Sequence, residues 1–279
     1  MADRSPSAAP SGSPPTFSLV IPCFEDADRL ERNLPLAMNH LTHAGVDFEV
    51  VVVDDGSANP DRTAEVARTL GVRFASSPAH RGKGAAVRLG MQLATGRFRA
   101  FTDADVPFEL DALDRLLWYL DFKEFHMVAG DRTLAESVCP VAQPWVRRLA
   151  SATYSQIVGK LVATGWYDTQ CGLKGFRAEV ADDLFAVARI DGFAFDVELF
   201  YVALKRNYDI KRIPVRLRTS ERSSVRLVRD GFDMLSDLPK LKLNHVLGRY
   251  APRVPVAPSV QSAPREAEAW LRERQQLPR

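Results

Sequence analysis

The sequence predicts an α/β protein built on a mostly parallel, doubly wound sheet. Short apolar segments alternate with amphipathic segments of helical length through the first half of the chain, which is the pattern of a parallel sheet with crossover helices. One segment, 48–53, ends in four consecutive β-branched valines, as expected of a strand buried on both faces. With 279 residues, 46% of them hydrophobic, the chain can build one large core.

The remaining elements follow from the same two periodicities. Strand 17–21 is apolar and is expected to stop at Pro22, and helix 28–41 repeats leucine and methionine at helical spacing. The segment 166–176 is predicted to be a loop. Further strands are expected at 72–75, 99–101, 126–129 and 210–215, and further helices at 62–70, 83–94, 110–122, 145–162, 178–186, 197–206 and 225–247.

The chain ends differ from the predicted domain, 16–250. Residues 1–15 are rich in Ser, Pro and Ala and predict a disordered tail, while 251–279 is Pro-rich and then charged enough to form a short helix. No apolar run approaches the ~20 residues that cross a bilayer. Because the formal net charge is +2, we expect no nucleic-acid partner. We expect a cytoplasmic protein able to bind peripherally to the inner face of a membrane.

A first candidate motif, Pro22-Cys-Phe-Glu25, follows the first strand. The Gly-x-Gly-x-x-Gly pattern of a dinucleotide fold is absent there. Phe24 is suited to pack against a base, and Glu25 to accept hydrogen bonds from a ribose or base. A turn in which Asp26 or Asp28 caps the next helix explains the same pattern.

A second motif, Asp54-Asp55-Gly56-Ser57, ends the most apolar strand. Two carboxylates at the mouth of a buried strand are costly unless they are paired or hydrogen-bonded. The N–H groups of a nucleobase would satisfy them, and an Asp-Gly turn is the alternative.

A third motif, Arg81-Gly82-Lys83-Gly84, opens a predicted helix. Glycines let a backbone approach a ligand, and the N-terminus of a helix favours an anion. Lys83 adds a positive charge. The motif is not a Walker A loop, because no earlier glycine stands at the required spacing and no Ser or Thr follows the lysine.

The fourth motif is Asp103-Ala-Asp105, after another strand. In an extended loop the side chains of residues i and i+2 point the same way, so the two carboxylates can share Mg²⁺ or Mn²⁺ with diphosphate oxygens and water. Such a metal would neutralise charge on a departing nucleoside diphosphate. An Asp-x-Asp pair is common by chance, and its position after a strand gives it weight.

Taken in order, these motifs resemble those of the family 2 glycosyltransferases, which have a GT-A fold. Two later motifs resemble the dolichyl-phosphate glucosyltransferase branch and, more loosely, the dolichol-phosphate mannosyltransferases. The resemblance covers about 17–247. It is carried by 20–25, 52–57, 81–87 and 102–105, and then by Asp168-Thr-Gln-Cys-Gly-Leu-Lys-Gly-Phe176 and Phe193-Ala-Phe-Asp-Val-Glu-Leu199.

The resemblance implies transfer of a hexose, such as glucose from UDP-glucose, to a polyprenyl phosphate with inversion at the anomeric carbon. Asp103 and Asp105 would be the metal pair, and Asp105 is also a catalytic candidate. Mannosyltransferase relatives often supply a further polar ligand where this chain has Pro107. The nucleotide-sugar site would comprise Pro22, Phe24, Glu25, Asp54, Asp55, Lys83, Asp103 and Ala104.

The acceptor side is predicted from charge. A hydroxyl acceptor needs a carboxylate base, whereas a phosphate, with a second pKa near ~6, is already ionised and needs cations to hold it. Asp168 and Asp196 are the acidic catalytic candidates, although Asp196 can also be read as a helix cap. The basic stretch 205–229 suits a phosphate, and the residues proposed to bind it are Lys174, Arg212, Arg222 and Arg226.

Other functions stay open on the sequence. A transferase of the same fold can act on a soluble or glycan hydroxyl, or on GDP-mannose as donor. A nucleotidyltransferase also uses metal-bound carboxylates. A degenerate, non-catalytic nucleotide-binding domain is disfavoured by the intact Lys83, Asp103 and Asp105.

Overall fold

The computed structural model describes residues 14–139, 158–159, 168–218 and 227–251, with the side chains of the last helix described from residue 236. Predictions that concern 1–13, 219–226, 252–279 and most of 145–162 lie outside these residues. The strands are β1 (Phe17–Cys23), β2 (Phe48–Asp54), β3 (Arg73–Ser76), β4 (Phe98–Phe101), β5 (Met127–Asp131), β6 (Lys174–Arg177) and β7 (Ile210–Pro214). The helices are α1 (Ala27–His43), α2 (Pro60–Thr69), α3 (Lys83–Leu93), α4 (Asp111–Asp121), α5 (Ala178–Val187), α6 (Phe195–Lys205) and α7 (Leu227–Val246).

The strands form one sheet in the order β3-β2-β1-β4-β6-β5-β7. Every neighbouring pair is parallel except those made by β6, which is antiparallel to both β4 and β5. The predicted α/β, mostly parallel architecture is therefore confirmed. Successive side chains of a strand point to opposite faces, so β1 sends Val20 to one core, and Leu19 and Ile21 to the other.

Two cores lie on the two faces of the sheet. The first lies beneath α3, α5 and α6, and Leu238 and Leu241 of α7 close it from outside. The second lies beneath α1, α2 and α4. The described helices thus lie on the two faces of the sheet, and sheets of this kind bind ligands at the carboxyl ends of their strands.

Two local predictions need correction. β1 does not stop at Pro22 but continues to Cys23. Pro22 still pairs with Val53 of β2, but pairing with β4 ends at Val20, so the missing N–H of Pro22 is tolerated on the open side of β1. The predicted loop 166–176 contains the start of β6. That strand is short and includes Gly175, where an added Cβ would lie 2.5 Å from Leu116 of α4.

No helix among the described residues is both long enough and apolar enough to span a bilayer.

Candidate active site

Four strands bring the predicted site residues to one edge of the sheet. Cys23 at the end of β1 pairs with Asp54 at the end of β2. β4 ends at Phe101, which pairs with Lys174 because the antiparallel β6 begins at this edge. The segments after β1, β2 and β4 therefore meet around one crevice. Pro22 lies half-buried in its rim, and Ala104 is packed into the second core.

Glu25 is tied to the turn that follows β2. Its backbone has a φ of 53°, which is uncommon for a residue other than glycine. Its N–H donates to Ser57 Oγ at 2.9 Å, and its Oε1 accepts from the N–H of Ala58 at 2.5 Å. The backbone after β1 is thus held in a fixed position against the Asp-Gly turn.

Asp54 is fully buried and organises that turn. Its carboxylate accepts from the N–H groups of Gly56 and Ser57 at 3.1 and 3.0 Å. The hydroxyls of Ser57 and Thr63 donate to it at 2.6 and 3.2 Å. These contacts satisfy the carboxylate within the chain, as the turn interpretation requires, and Asp54 supports the crevice from below. Its direct contact with a nucleoside stays a prediction.

Asp55 holds the loop that precedes α3. Its carboxylate accepts from the N–H groups of Arg81 at 3.1 Å and Gly82 at 2.7 Å, and His80 Nδ1 lies 2.9 Å from its Oδ2. Burial raises the pKa of Asp55, and the two N–H groups oppose that rise. The anion bound by these N–H groups is therefore a carboxylate of the chain itself.

An aromatic stack stands at the mouth of the crevice. Phe24 is 42% exposed, and its ring stacks on His80 with the ring centroids 3.9 Å apart. Sequence reasoning missed His80, because nothing in the linear pattern brings it next to Phe24. The stack offers a flat apolar surface beside the acidic residues Glu25 and Asp55.

The glycines of the third motif have a structural use. Gly82 has a φ of 118°. An added Cβ on it would lie 2.6 Å from the carbonyl oxygen of Asp191, and one on Gly84 would lie 2.5 Å from that of Ile190. These glycines therefore let the start of α3 pack against the loop at 190–192, where they were expected to let the backbone approach a ligand.

A charge cluster occupies the centre of the crevice. Lys83 Nζ lies 2.5 Å from Asp103 Oδ1. Burial alone would lower the pKa of Lys83, but the negative charges of Asp103 and Asp196 outweigh it and raise that pKa. Burial and the charge of Asp103 raise the pKa of Asp105. The charges of three carboxylates, Asp103, Asp105 and Asp196, therefore act on the ammonium group of Lys83.

Asp103 and Asp105 fit part of a metal site. Oδ1 of Asp105 is buried and has no hydrogen-bond partner, which is costly for a carboxylate and is relieved by a cation. Within the described residues, no three His, Cys, Asp or Glu side chains are grouped as metal ligands. A divalent cation here would therefore draw its remaining oxygen ligands from a diphosphate and water. In this structure Lys83 supplies the positive charge next to Asp103.

Asp196 and Lys174 form a buried pair beneath the cluster. Lys174 is 0% exposed, and its Nζ lies 2.7 Å from Asp196 Oδ1 and donates to the carbonyl oxygen of Cys171 at 2.7 Å. The pKa of Asp196 is raised, because the effect of burial exceeds the opposing effect of the positive charges of Lys174 and Lys83. Such a position speaks against Lys174 as an acceptor-phosphate ligand. Asp196 lies in the first turn of α6 and is not its N-cap, which is Ala194.

Glu198 is the second acidic residue of the motif at 193–199, and its carboxylate is occupied by hydrogen bonds within the protein. It accepts from the N–H groups of Arg189 and Ile190 at 2.9 Å, and the hydroxyl of Tyr250 donates to it at 2.5 Å. Of the two acidic residues in this motif, Asp196 is the one whose charge acts on Lys83.

Asp168 is held by an arginine that sequence reasoning missed. Arg132 donates to it through Nε at 2.8 Å, through Nη2 at 2.7 Å and through its backbone N–H at 2.9 Å. Arg132 directly follows β5, so the rule that ligand-binding residues follow strands could have found it. Arg212 is likewise paired, with Nε 2.5 Å from Asp131 Oδ2. Arg222 and Arg226 lie outside the described residues.

Replacing Arg132 with leucine is expected to destabilise the protein at about pH 7 and much less at about pH 4. Burial alone would raise the pKa of Asp168, but the hydrogen bonds and charge of Arg132 outweigh it, so the pKa is lowered. In the wild type the stabilisation from this lowered pKa is lost only below the ordinary Asp pKa, as the pH falls through the folded-state value. In the variant, burial without Arg132 raises the pKa of Asp168, so the carboxyl takes up a proton in mild acid and the penalty of the substitution shrinks toward pH 4. Urea denaturation at both pH values measures the difference.

The matched control for this experiment is Arg62→Leu, which removes an exposed arginine paired with Glu31. Its effect is expected to be small at both pH values. An Arg132→Leu penalty that did not shrink in acid would contradict an ionic role for the Arg132–Asp168 pair.

Several solved structures share this fold. The structure of mannosyl-3-phosphoglycerate synthase from Rubrobacter xylanophilus superposes with a TM-score of 0.64 at 20% identity, covering 88% of this chain and 79% of that one. Glucosyl-3-phosphoglycerate synthase from Mycobacterium tuberculosis, in complex with UDP, gives a TM-score of 0.61 at 17% identity over 89% and 88% of the two chains. At these identities the likeness establishes the fold, and the predicted GT-A fold is confirmed.

Curated relatives resemble the chain in sequence. A dolichyl-phosphate beta-glucosyltransferase of Dictyostelium discoideum is 26% identical over 248 residues, which cover 83% of this chain and 75% of the relative. The Homo sapiens protein of the same name is 28% identical over 251 residues, covering 84% and 77%. The family model described as glycosyl transferase family 2 matches residues 18–185, more than half of the chain. With its motifs at the strand ends of a GT-A sheet, the chain belongs to glycosyl transferase family 2.

Proposed function

We propose that the protein transfers glucose from UDP-glucose to a polyprenyl phosphate, with inversion at the anomeric carbon. The curated relatives, named for glucosyl transfer to dolichyl phosphate, support the sugar and the acceptor class. The proposal of UDP rests on the motif resemblance and on the aromatic and acidic rim formed by Phe24, Glu25 and Asp55.

The choice of a phosphate acceptor rests on one observation: the carboxylates near the predicted acceptor residues are paired with arginine or lysine. In the described part of the chain, Asp131, Asp168 and Asp196 each contact an arginine or lysine within 2.7 Å. Each of these carboxylates is engaged in a salt bridge, so they are poorly placed to accept a proton from a sugar or glycan hydroxyl. A phosphate acceptor needs no such base, because it is largely ionised at neutral pH.

In the proposed reaction, a phosphate oxygen of the lipid attacks the anomeric carbon of glucose from the side opposite the diphosphate. The new bond joins that carbon to the lipid phosphate, the bond to the donor oxygen breaks, and UDP leaves with the electron pair. No proton has to be removed from the nucleophile. Exposed cations near the acceptor, such as the partly exposed Arg132, would hold the lipid phosphate in line.

Lys83, Asp103 and Asp105 are proposed to manage the charge of the leaving group. Asp103 and Asp105 would hold Mg²⁺ or Mn²⁺, which when bound offsets the negative charge of the diphosphate. Mn²⁺ and UDP are present together in a structurally similar protein, a glucosyl-3-phosphoglycerate synthase that superposes with a TM-score of 0.55. Lys83, which pairs with Asp103 in this structure, would supply a second positive charge to the phosphate oxygens of the donor.

The test is a transfer assay with the full chain, radiolabelled UDP-glucose, detergent-solubilised polyprenyl phosphate and Mn²⁺ or Mg²⁺. We expect labelled glucose in the organic phase as an acid-labile lipid, together with free UDP. Parallel reactions replace the donor with GDP-mannose, or the lipid with 3-phosphoglycerate or a glycan carrying free hydroxyls. A structurally intact protein that glycosylates a soluble acceptor and leaves the lipid unmodified would overturn the proposed acceptor. Pyrophosphate in place of UDP would instead indicate a nucleotidyltransferase.

A further inference from the structure

The end of α7 carries an apolar stripe on its outer surface. Among the described residues, the three most exposed large hydrophobic side chains are Val246, Leu243 and Leu247, at 81%, 56% and 53%. They stand at positions i, i+3 and i+4 and so share one side of the helix. Leu247 lies one residue past the end of α7, and its N–H still bonds to the carbonyl of Leu243 at 2.9 Å. We call these three residues the α7 stripe.

The opposite side of α7 is fully engaged with the protein. Leu238 and Leu241 are buried in the first core, and Asn244 contacts the hydroxyl of Tyr250, which in turn donates to Glu198. The α7 stripe therefore does not arise from a loosely packed helix. It is a second apolar surface on a helix whose first apolar surface is already buried.

Basic residues border the α7 stripe. Lys240, Lys242 and Arg249 are exposed. The ammonium of Lys240 lies 2.7 Å from Asp237, which is the acidic residue of the segment 236–251, and Arg249 donates to Asn244 at 2.9 Å. At 100° per residue, Lys240 and Lys242 lie on opposite sides of the stripe. Long basic side chains beside an apolar stripe are typical of a helix that lies in the interface of an anionic bilayer, where the amines reach the headgroups.

We propose that the α7 stripe and its basic border dock the protein on an anionic lipid bilayer. A second copy of the chain is a poorer occupant, because a two-fold contact through this surface would bring the basic border against itself. Single exposed apolar residues are normal on proteins. Three adjacent apolar residues bordered by basic side chains are instead complementary to an anionic membrane surface. The proposal goes beyond the proposed function, because it assigns a surface that would hold the protein on a membrane whether or not the acceptor is a lipid.

The experiment is vesicle co-sedimentation of the full chain without donor or acceptor, so its result does not depend on the proposed reaction. Vesicles of phosphatidylcholine with about one-third phosphatidylserine are compared with pure phosphatidylcholine. We expect binding to the anionic vesicles that weakens with salt. The triple variant Leu243→Ser, Val246→Ser, Leu247→Ser is expected to lower the partition coefficient at least about tenfold.

A matched control is Leu36→Ser, which removes an exposed leucine from α1 and is expected to leave vesicle binding unchanged. The double variant Lys240→Ala, Lys242→Ala is expected to weaken binding to anionic vesicles and not to neutral ones. Thermal unfolding and activity with detergent-solubilised acceptor report whether the variants are folded. The proposal is overturned if the folded triple variant binds vesicles as the wild type does, or if the wild type does not bind. Loss of a concentration-dependent dimer in the triple variant, with no change in vesicle binding, would assign the surface to a second copy.

Discussion

Asp103→Asn is expected to lower kcat/KM for sugar transfer by about 10²–10³, the range expected for losing several kcal/mol of charge stabilisation in the transition state. Asparagine has nearly the same shape, so the change removes the negative charge and little else. The charge is proposed to hold the divalent cation beside the donor diphosphate. Initial rates with labelled UDP-glucose measure the loss, and Mn²⁺ binding followed by electron paramagnetic resonance reports on the metal directly.

A second variant separates metal binding from the Lys83–Asp103 ion pair. Lys83→Met breaks the pair as Asp103→Asn does, but it leaves the carboxylate in place. We expect Lys83→Met to bind Mn²⁺ at least as tightly as the wild type, because a competing positive charge has been removed, while Asp103→Asn binds it more weakly. The control is Asp121→Asn, at a carboxylate of α4 paired with Arg97. Equal Mn²⁺ affinity in the wild type and Asp103→Asn would exclude Asp103 as a ligand.

Lys174→Met is expected to lower the free energy of unfolding by about 3–5 kcal/mol, the usual cost of removing one partner of a buried ion pair. Lys174 and Asp196 are 0% and 4% exposed, and their charged atoms lie 2.7 Å apart. Methionine fills a similar volume but leaves the Asp196 carboxylate and the Cys171 carbonyl without the ammonium group. Guanidinium denaturation of the wild type and the variant measures the difference.

The double variant Lys174→Met, Asp196→Asn is expected to recover part of that loss, because no buried charge remains unpaired. Burial already raises the pKa of Asp196, and loss of Lys174 raises it further, so the neutral acid forms more easily in the folded variant. The penalty of Lys174→Met should therefore be smaller in mild acid than at alkaline pH. Lys242→Met, on the exposed side of α7, is the control and should change stability by less than about 0.5 kcal/mol. A double variant no more stable than the single one would argue against an ionic contribution.

Much of the crevice could be predicted from the strand pattern. Apolar runs ending in Glu25, Asp54 and Asp103 indicate parallel strands whose carboxyl ends share an edge, and the structure brings Lys83 to the same place. This succeeds because the alternation of strands and helices is a local property that periodicity reports directly.

The β6 strand shows where such reasoning fails. Read as a loop residue, Lys174 looks like an exposed cation available to a phosphate. In the structure it begins a strand antiparallel to β4, and its ammonium lies 5.4 Å from the ring of Phe101 and 5.8 Å from that of Phe200. A four-residue strand that contains glycine has too weak a pattern to be recognised without its neighbours.

The amino-acid pattern alone therefore predicts the parallel strands, the edge at which their carboxyl ends meet, and most of the acidic and basic residues found there. The tertiary structure decides which of those charges are committed to one another: Lys83 with Asp103, Arg132 with Asp168, and Lys174 with Asp196. The physical reason is that charge pairing depends on distances through space and on burial, and both are set by how β4, β6 and α6 pack rather than by spacing along the chain.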